Sequence, residues 1–231
     1  MATTGPGQSR ARTVGVPTHE KVLVETVQRG LPGLFSGGPG RSMFVLAEPL
    51  LEEARPDLLV VVASAQGVRS LLRQGRIATS PTVARILLSE PHPSSRSYET
   101  TVLREHGRGS RLRLAKRAML IATAVGIEVK VRDGRRALQQ VARFRNHVDE
   151  AVVAMPETAA DRLPQLPIEN YGVGVIGLRG ETAKWLRLPG HRPTSGASRA
   201  WIAELMVKAF ESNELYTFSR SRKMLTAFEM A

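Results

Sequence analysis

An acidic and a basic residue, Glu128 and Lys130, lie two positions apart in an apolar segment of the chain. In a β-strand, successive side chains point to opposite faces, so Glu128 and Lys130 would share one face. The apolar residues around them would share the other face, which can be buried: Ile127, Val129 and Val131. Together with a second acid on a neighbouring strand, such an acid–base pair can hold a divalent cation and a lysine beside a phosphate. The pattern therefore predicts a metal-dependent site that acts on phosphodiesters.

A second carboxylate for this site comes from Asp57, which follows Pro56 and precedes the apolar segment 58–62. That segment and the earlier segment 43–46 are short and partly β-branched, which predicts two strands. If Asp57 lies within roughly 8 Å of Glu128, the two carboxylates can share one Mg²⁺ ion. The backbone carbonyl of Val129 is a candidate third ligand.

Composition limits the class of protein. The chain has 231 residues, of which 42% are hydrophobic, enough to bury a core. It has no cysteine, which excludes disulfides and thiolate zinc sites and leaves oxygen or imidazole as metal ligands. No apolar run approaches the roughly 18 residues of a membrane span, and a secretory leader pattern is absent. We therefore expect a cytoplasmic protein without a membrane partner.

The charge predicts a polyanionic partner. The formal net charge is +12, and residues 66–118 carry 11 Arg and Lys against 3 acids. Three helices are predicted there, at 66–74, 81–89 and 95–106. The alternating basic segment 107–117 predicts a β-ribbon, which gives the whole segment a winged-helix-like pattern for binding DNA. The candidate contacts with backbone phosphates are Arg108, Arg111, Arg113, Lys116 and Arg117.

The remaining elements predict an α/β protein. Residues 1–17 resemble a disordered tail, and a helix is expected from Thr18 to about Arg29, ended by Gly30. The strand at 120–131 is followed by an amphipathic helix at 134–148 and by strands at 151–155 and 171–178. Residues 181–231 are expected to form a C-terminal helical extension, whose helix is capped by Ser198 after a loop at 189–197. Its apolar side predicts either core packing or a homodimer interface: Trp201, Leu205 and Phe210.

Pro56-Asp57 together with Glu128-Val129-Lys130 resembles the signature of the PD-(D/E)XK, or restriction-endonuclease-like, nuclease superfamily. The resemblance covers roughly 18–62 and 118–180. It implies a core made of a helix, a mixed four-stranded sheet and a second helix packed on that sheet. The family pattern often continues into the second helix with a glutamine, for which Gln140 is the better match and Gln139 the alternative.

The resemblance implies a DNA endonuclease that depends on Mg²⁺ or Mn²⁺. Asp57 and Glu128 would bind the metal, with the carbonyl of Val129, and Lys130 would position the nucleophile. Gln140 would support the site. A further acid is available from Glu20 or Glu25 on the first helix, or from Glu48. Two arginines of the second helix are either part of a solvated face or additional phosphate contacts: Arg135 and Arg136.

The spacing of the two carboxylates departs from the family pattern. Asp57 lies 71 residues before Glu128, much farther than is usual, so a core at 18–65 and 118–180 requires residues 66–117 to be an inserted module. In closely spaced family members the acid would stand at Ala118 or Met119, which are not acidic. If that position were the functional one, the chain would be a non-catalytic DNA-binding protein. An RNA-directed protein is a further alternative, and pairing into homodimers is typical of such nucleases.

Overall fold

The structure is a computed structural model that describes residues 20–35, 40–52, 54–88, 97–218 and 224–226. The predicted tail at 1–17 lies outside the described residues. The helices are α1 Glu20–Leu34, α2 Ala65–Arg73, α3 Pro81–Leu88, α4 Ser97–Leu120, α5 Gly134–Phe144, α6 Glu157–Ala160, α7 Gln165–Tyr171 and α8 Gly196–Glu211. The strands are β1 Arg41–Ala47, β2 Leu58–Ser64, β3 Ile121–Val129, β4 Glu150–Pro156, β5 Gly174–Arg179, β6 Thr182–Arg187, β7 Tyr216–Phe218 and β8 Met224–Thr226.

Within the described ranges, all eight strands form one mixed sheet in the order β6-β5-β4-β3-β2-β1-β7-β8. Strands β3, β4 and β5 are parallel to one another, and the remaining neighbours are antiparallel. The predicted α/β class is therefore confirmed. The central strands are apolar on both sides because helices cover both faces of the sheet.

Helix α1 covers one face and a layer of helices covers the other. Leu23, Val27 and Leu31 of α1 pack on Val60 and Ile127 in the first apolar cluster. The opposite cluster contains residues from α2, α3, α4, α5 and α8. Ile127 and Val129 are fully buried under α1, as the alternation in this strand predicted. Among the described helices, none is both long and apolar enough to cross a lipid bilayer.

Helix α1 does not end at Gly30, as the sequence predicted, but continues through Pro32 to Leu34. A Cβ atom at Gly30 would lie 2.8 Å from the Cβ of Ala183 in β6. The glycine therefore allows the helix to approach the sheet closely. This packing outweighs the intrinsic cost of about 1 kcal/mol for a glycine inside a helix.

The predicted basic β-ribbon at 107–117 is wrong, because these residues belong to the single helix α4. The alternating pattern that suggested a strand came only from the positions of the charged residues. The buried positions follow helical spacing: Ser110, Leu114, Arg117 and Ala118. Three helices do occupy the segment 65–120, as predicted, but α4 continues to β3 without a wing.

The segment after residue 180 contributes to both ends of the sheet. Strand β6 pairs with β5, and β7 pairs with β1, so this segment is not only the helical extension that the sequence predicted. The cap of α8 is Ser195 rather than Ser198, since the Oγ of Ser195 accepts a hydrogen bond from the Ser198 N–H at 3.0 Å. Trp201 and Leu205 lie in the core of the single chain.

Gly126 determines how closely α5 packs on β3. A Cβ atom at this position would lie 2.7 Å from Cε2 of the Phe144 ring. We expect Gly126→Ala to lower the free energy of unfolding by about 1–3 kcal/mol, measured by urea denaturation. Gly109→Ala in α4 is the control, because nothing lies within 4 Å of its added Cβ and a helical alanine is favoured. Equal effects of the two changes would contradict this role for Gly126.

Candidate functional site

The antiparallel pairing of β2 with β3 brings Asp57 to Glu128. Leu58 lies opposite Ile127, so the preceding Asp57 lies at the level of Glu128. The Oδ2 atom of Asp57 accepts a hydrogen bond from the Val129 N–H at 2.6 Å. The strands on either side of the segment 65–120 are thus direct neighbours, despite their separation in sequence. Ala118 and Met119 lie in the last turn of α4, and no acid is needed there for two carboxylates to meet.

Lys130 lies at the centre of the candidate site. Its Nζ atom is 2.8 Å from Glu128 Oε1, 3.9 Å from Asp57 Oδ2 and 2.6 Å from Glu20 Oε1. It also donates a hydrogen bond to the Val129 carbonyl at 3.1 Å. Glu20 begins α1, so of the two acids suggested on this helix it is Glu20 that reaches the site. Three carboxylates around one ammonium leave the cluster with excess negative charge when all are ionised.

The two core carboxylates are close enough to approach one cation. Their distances to Lys130 Nζ limit the separation of Asp57 Oδ2 from Glu128 Oε1 to 6.7 Å. Among the described residues, no group of three or more acidic or imidazole side chains could hold a metal ion, so a site here would have at most two carboxylate ligands. Mg²⁺ is commonly bound by one or two carboxylates and keeps several waters. Asp57 and Glu128, with the Val129 carbonyl, are the candidate ligands for such a site.

Burial makes this cluster costly to ionise. It raises the pKa of Glu128 to about 7, and the nearby Asp57 carboxylate adds to the shift while Lys130 opposes it. Burial also raises the pKa of Asp57, against the effects of the Val129 N–H and of Lys130. For Lys130, burial lowers the pKa, but the contacts with Glu128 and Glu20 outweigh it and the net pKa is raised. An added cation would relieve this accumulation of buried negative charge.

Glu128 and Gln140 each contain buried oxygen atoms without a hydrogen-bond donor among the described residues. For Glu128 these are both carboxylate oxygens, although Lys130 lies beside one of them, and for Gln140 it is Oε1. Phe144 packs on Gly126, and Gln140 lies one helical turn before Phe144. Glu128 lies two residues beyond Gly126, so ideal helix and strand geometry is expected to bring Gln140 to about the level of Glu128. Gln139 is exposed and Gln140 is half-buried, so Gln140 is the one of the two that faces the protein interior.

Other predicted site residues lie around this cluster or away from it. Glu48 is exposed, but its backbone N–H donates to the Asp57 carbonyl at 3.0 Å, and its charge helps to raise the pKa of Asp57. Arg135 and Arg136 are exposed in the first turn of α5, shortly after Lys130. Glu25 is exposed on α1 and takes no part in the cluster.

The basic residues predicted to bind DNA do not share one environment. Arg113 and Lys116 are exposed and Arg111 is half-buried, whereas the side chain of Arg108 lies outside the described part of the chain. Arg117 is buried and pairs with Glu204 of α8 at 2.5 Å, so it is not available to a phosphate. In the sequence, the position of the acidic Glu204 on the apolar side of this helix is what indicates a buried ion pair.

Comparisons with known proteins identify no family for this chain. No family model matches it, and no curated protein matches it. Among solved structures, it is similar to a protein of unknown function from Silicibacter pomeroyi, with a TM-score of 0.42 and 15% sequence identity. The similarity covers 82% of this chain and 85% of that one. It names no activity, so the function must be inferred from the geometry of the site.

Proposed function

We propose that the protein is a nuclease that hydrolyses phosphodiester bonds in DNA and depends on Mg²⁺ or Mn²⁺. The observation that carries this proposal is the convergence of Asp57, Glu128 and Lys130. Asp57 precedes β2, whereas Glu128 and Lys130 come three helices later in the chain. Both carboxylates nevertheless lie within 4 Å of the ammonium nitrogen of Lys130. Raised pKa values of the buried Glu128 and the half-buried Asp57, next to a lysine, are typical of a functional site.

Asp57 and Glu128 would hold the metal together with the Val129 carbonyl. When bound, the metal would neutralise charge on the scissile phosphate and lower the pKa of an attacking water. The ammonium of Lys130 lies beside both carboxylates, where it can stabilise negative charge that develops on the phosphate. Glu20 holds Lys130 at 2.6 Å and so positions it. Gln140, expected at about the level of Glu128, can orient its carboxylate.

The charge distribution supports DNA as the substrate. Exposed cations lie on two contacting helices of the layer that covers the sheet: Arg69 and Arg73 on α2, and Arg104, Arg113 and Lys116 on α4. Within the described part of the chain, none of them pairs with a carboxylate. Such cations bind backbone phosphates without sequence preference, and they make the affinity fall steeply with salt. Arg135 and Arg136 are further exposed cations, at the start of α5 and shortly after Lys130 in the chain.

Cleavage of plasmid and linear duplex DNA with Mg²⁺, Mn²⁺ or EDTA tests the proposal. We expect cleavage with either metal and none with EDTA. Asp57→Asn and Lys130→Met should each lower the rate by about 10²–10³-fold, because each removes charge from the reacting centre. Glu25→Gln removes an exposed acid of α1 and should leave the rate unchanged. If the protein binds DNA but cuts neither DNA nor RNA with either metal, it is a non-catalytic nucleic-acid-binding protein and the proposal is wrong.

A further inference from the structure

A cleft of about 360 Å³ lies beside the candidate site. The end of β1 with its connection to β2, the segment that leads into α3, and one side of α8 with the residues after it form its walls. Arg55 lines the cleft two residues before Asp57, and Glu48 lines it while its N–H bonds to the Asp57 carbonyl. The residues that lead into β2 therefore connect the cleft to Asp57. Sequence reasoning did not single out this cleft, because its lining comes from three segments that lie far apart in the sequence.

One part of the cleft is apolar. Its lining includes Leu46, Pro49, Leu50, Trp201 and Leu205. The indole N–H of Trp201 donates to the Leu50 carbonyl at 3.0 Å, so its ring presents no unsatisfied polar atom to a ligand. Apolar and aromatic surface of this kind suits a planar nucleobase.

The other part of the cleft carries exposed cations: Arg55, Arg76 and Lys208. Among the described residues, none of these three forms an ion pair with a carboxylate, although Glu48 and Glu214 also line the cleft. Arg76 donates a long hydrogen bond to the Thr79 carbonyl at 3.5 Å. Helix α3 also begins in the wall of the cleft, and the N-terminal end of a helix favours an anion. Cations beside apolar surface are the recognition elements for a phosphorylated, planar ligand.

We propose that this cleft holds an unpaired nucleotide of the substrate strand, next to the phosphate that is cut. The base would lie against the exposed side chain of Leu50 and the small exposed part of Trp201, and its phosphate would contact Arg55, Arg76 and Lys208. The volume falls within the range of about 300–1,000 Å³ that is usual for small-molecule sites. A base stacked inside a duplex cannot enter such a cleft, so the preferred substrate is DNA with an unpaired nucleotide at the cleavage position. This inference rests on the proposed nuclease function and narrows its substrate.

Trp201 offers a direct measurement of binding. In Trp185→Phe protein it is the sole tryptophan, and its fluorescence can be followed in EDTA, where no metal-dependent cleavage occurs. We expect a saturable change with thymidine 5′-monophosphate, and at least about tenfold weaker binding of thymidine and of inorganic phosphate. A duplex with one unpaired nucleotide should bind the cleft more tightly than a fully paired duplex of equal length.

Variants of the cleft separate this inference from the nuclease function. Arg55→Met and Arg76→Met should each weaken mononucleotide binding by about tenfold or more, whereas Arg179→Met, an exposed arginine outside the cleft, should not. Unchanged fluorescence with the mononucleotide, or equal affinity for inorganic phosphate, would overturn the cleft proposal even if the protein cuts DNA. Mononucleotide binding by protein that cuts no DNA would support the cleft and reject the nuclease.

Discussion

Replacing Glu128 with glutamine is expected to stabilise the metal-free protein at pH 8 and to abolish DNA cleavage. Glu128 is almost completely buried, and burial raises its pKa from 4.5 to about 7. At pH 8 the folded wild type must therefore hold a buried carboxylate that the unfolded chain exposes to water. Glutamine removes this cost but cannot serve as an anionic metal ligand.

The pH dependence of stability has a definite sign. The folded state binds the proton of Glu128 more tightly than the unfolded state does. Glu128 therefore makes its full contribution to the free energy of unfolding below pH 4.5, and this contribution is lost as the pH rises through about 7. The shift corresponds to about 3 kcal/mol above pH 7, which is the largest gain we expect from Glu128→Gln at pH 8. The raised pKa of Asp57 acts in the same direction.

Urea denaturation of wild type and Glu128→Gln at pH 4.5 and pH 8, each with EDTA and with Mg²⁺, measures both effects. The free energy of unfolding of the wild type should fall between pH 4.5 and pH 8, and most of this fall should be absent in Glu128→Gln. Mg²⁺ should stabilise only the wild type. A ligand at 100 times its Kd adds about 2.7 kcal/mol. Glu25→Gln should match the wild type throughout. A variant that is destabilised at pH 8, or that still responds to Mg²⁺, would show that Glu128 is a structural acid and not a metal ligand.

The central part of the candidate site could be predicted because it depends on local sequence. The alternation from Ile127 to Val131 fixes which side chains share a face, and the structure has Ile127 and Val129 buried on the opposite face from Glu128. Proximity of Asp57 could only be conjectured, since it depends on the pairing of β2 with β3. The choice between Glu20 and Glu25 likewise depends on where α1 crosses the sheet, which no local pattern encodes.

Several elements were predicted wrongly because tertiary packing overrode local signals. A glycine such as Gly30 often ends a helix. Here Gly30 lies inside α1, at the point where the helix packs against Ala183 of the sheet. The alternating charges of 107–117 suggested a strand, whereas the buried residues of that segment have helical spacing. Strand β6 follows β5 after a tight turn at Gly180, whose positive φ of 60° suits glycine. Its exposed and half-buried residues gave no apolar run to identify it.

Removal of Glu204 is expected to be the most destabilising single change in the helical layer. Its two carboxylate oxygens accept hydrogen bonds from Arg117 at 2.5 Å, and from the N–H groups of Ile77 and Ala78 at 2.6 and 3.2 Å. Arg117 also donates to the Gly75 carbonyl at 2.8 Å. One buried acid therefore joins α4, α8 and the loop between α2 and α3.

Glu204→Ala should lower the free energy of unfolding by about 3–5 kcal/mol, since it leaves Arg117 as an uncompensated buried charge. Urea denaturation measures this loss, and Glu211→Ala, an exposed acid on the same helix, should have little effect. Arg117→Met combined with Glu204→Leu should be less destabilising than Glu204→Leu alone. The double variant should still not reach wild-type stability, because Ile77 and Ala78 lose their acceptor. A cost below about 1 kcal/mol for Glu204→Ala would contradict this role.

The same pair distinguishes structural from DNA-binding cations in one helix. Lys116 and Arg117 are adjacent in α4, but Lys116 is exposed whereas only 2% of Arg117 is exposed. We expect Lys116→Met to weaken DNA binding and reduce its salt dependence while leaving stability unchanged. Arg117→Met should destabilise the fold, and its folded fraction should bind DNA with wild-type affinity. Filter binding at two salt concentrations, with denaturation of the same samples, separates the two effects. Weakened DNA binding by folded Arg117→Met protein would mean that Arg117 leaves Glu204 to contact phosphate.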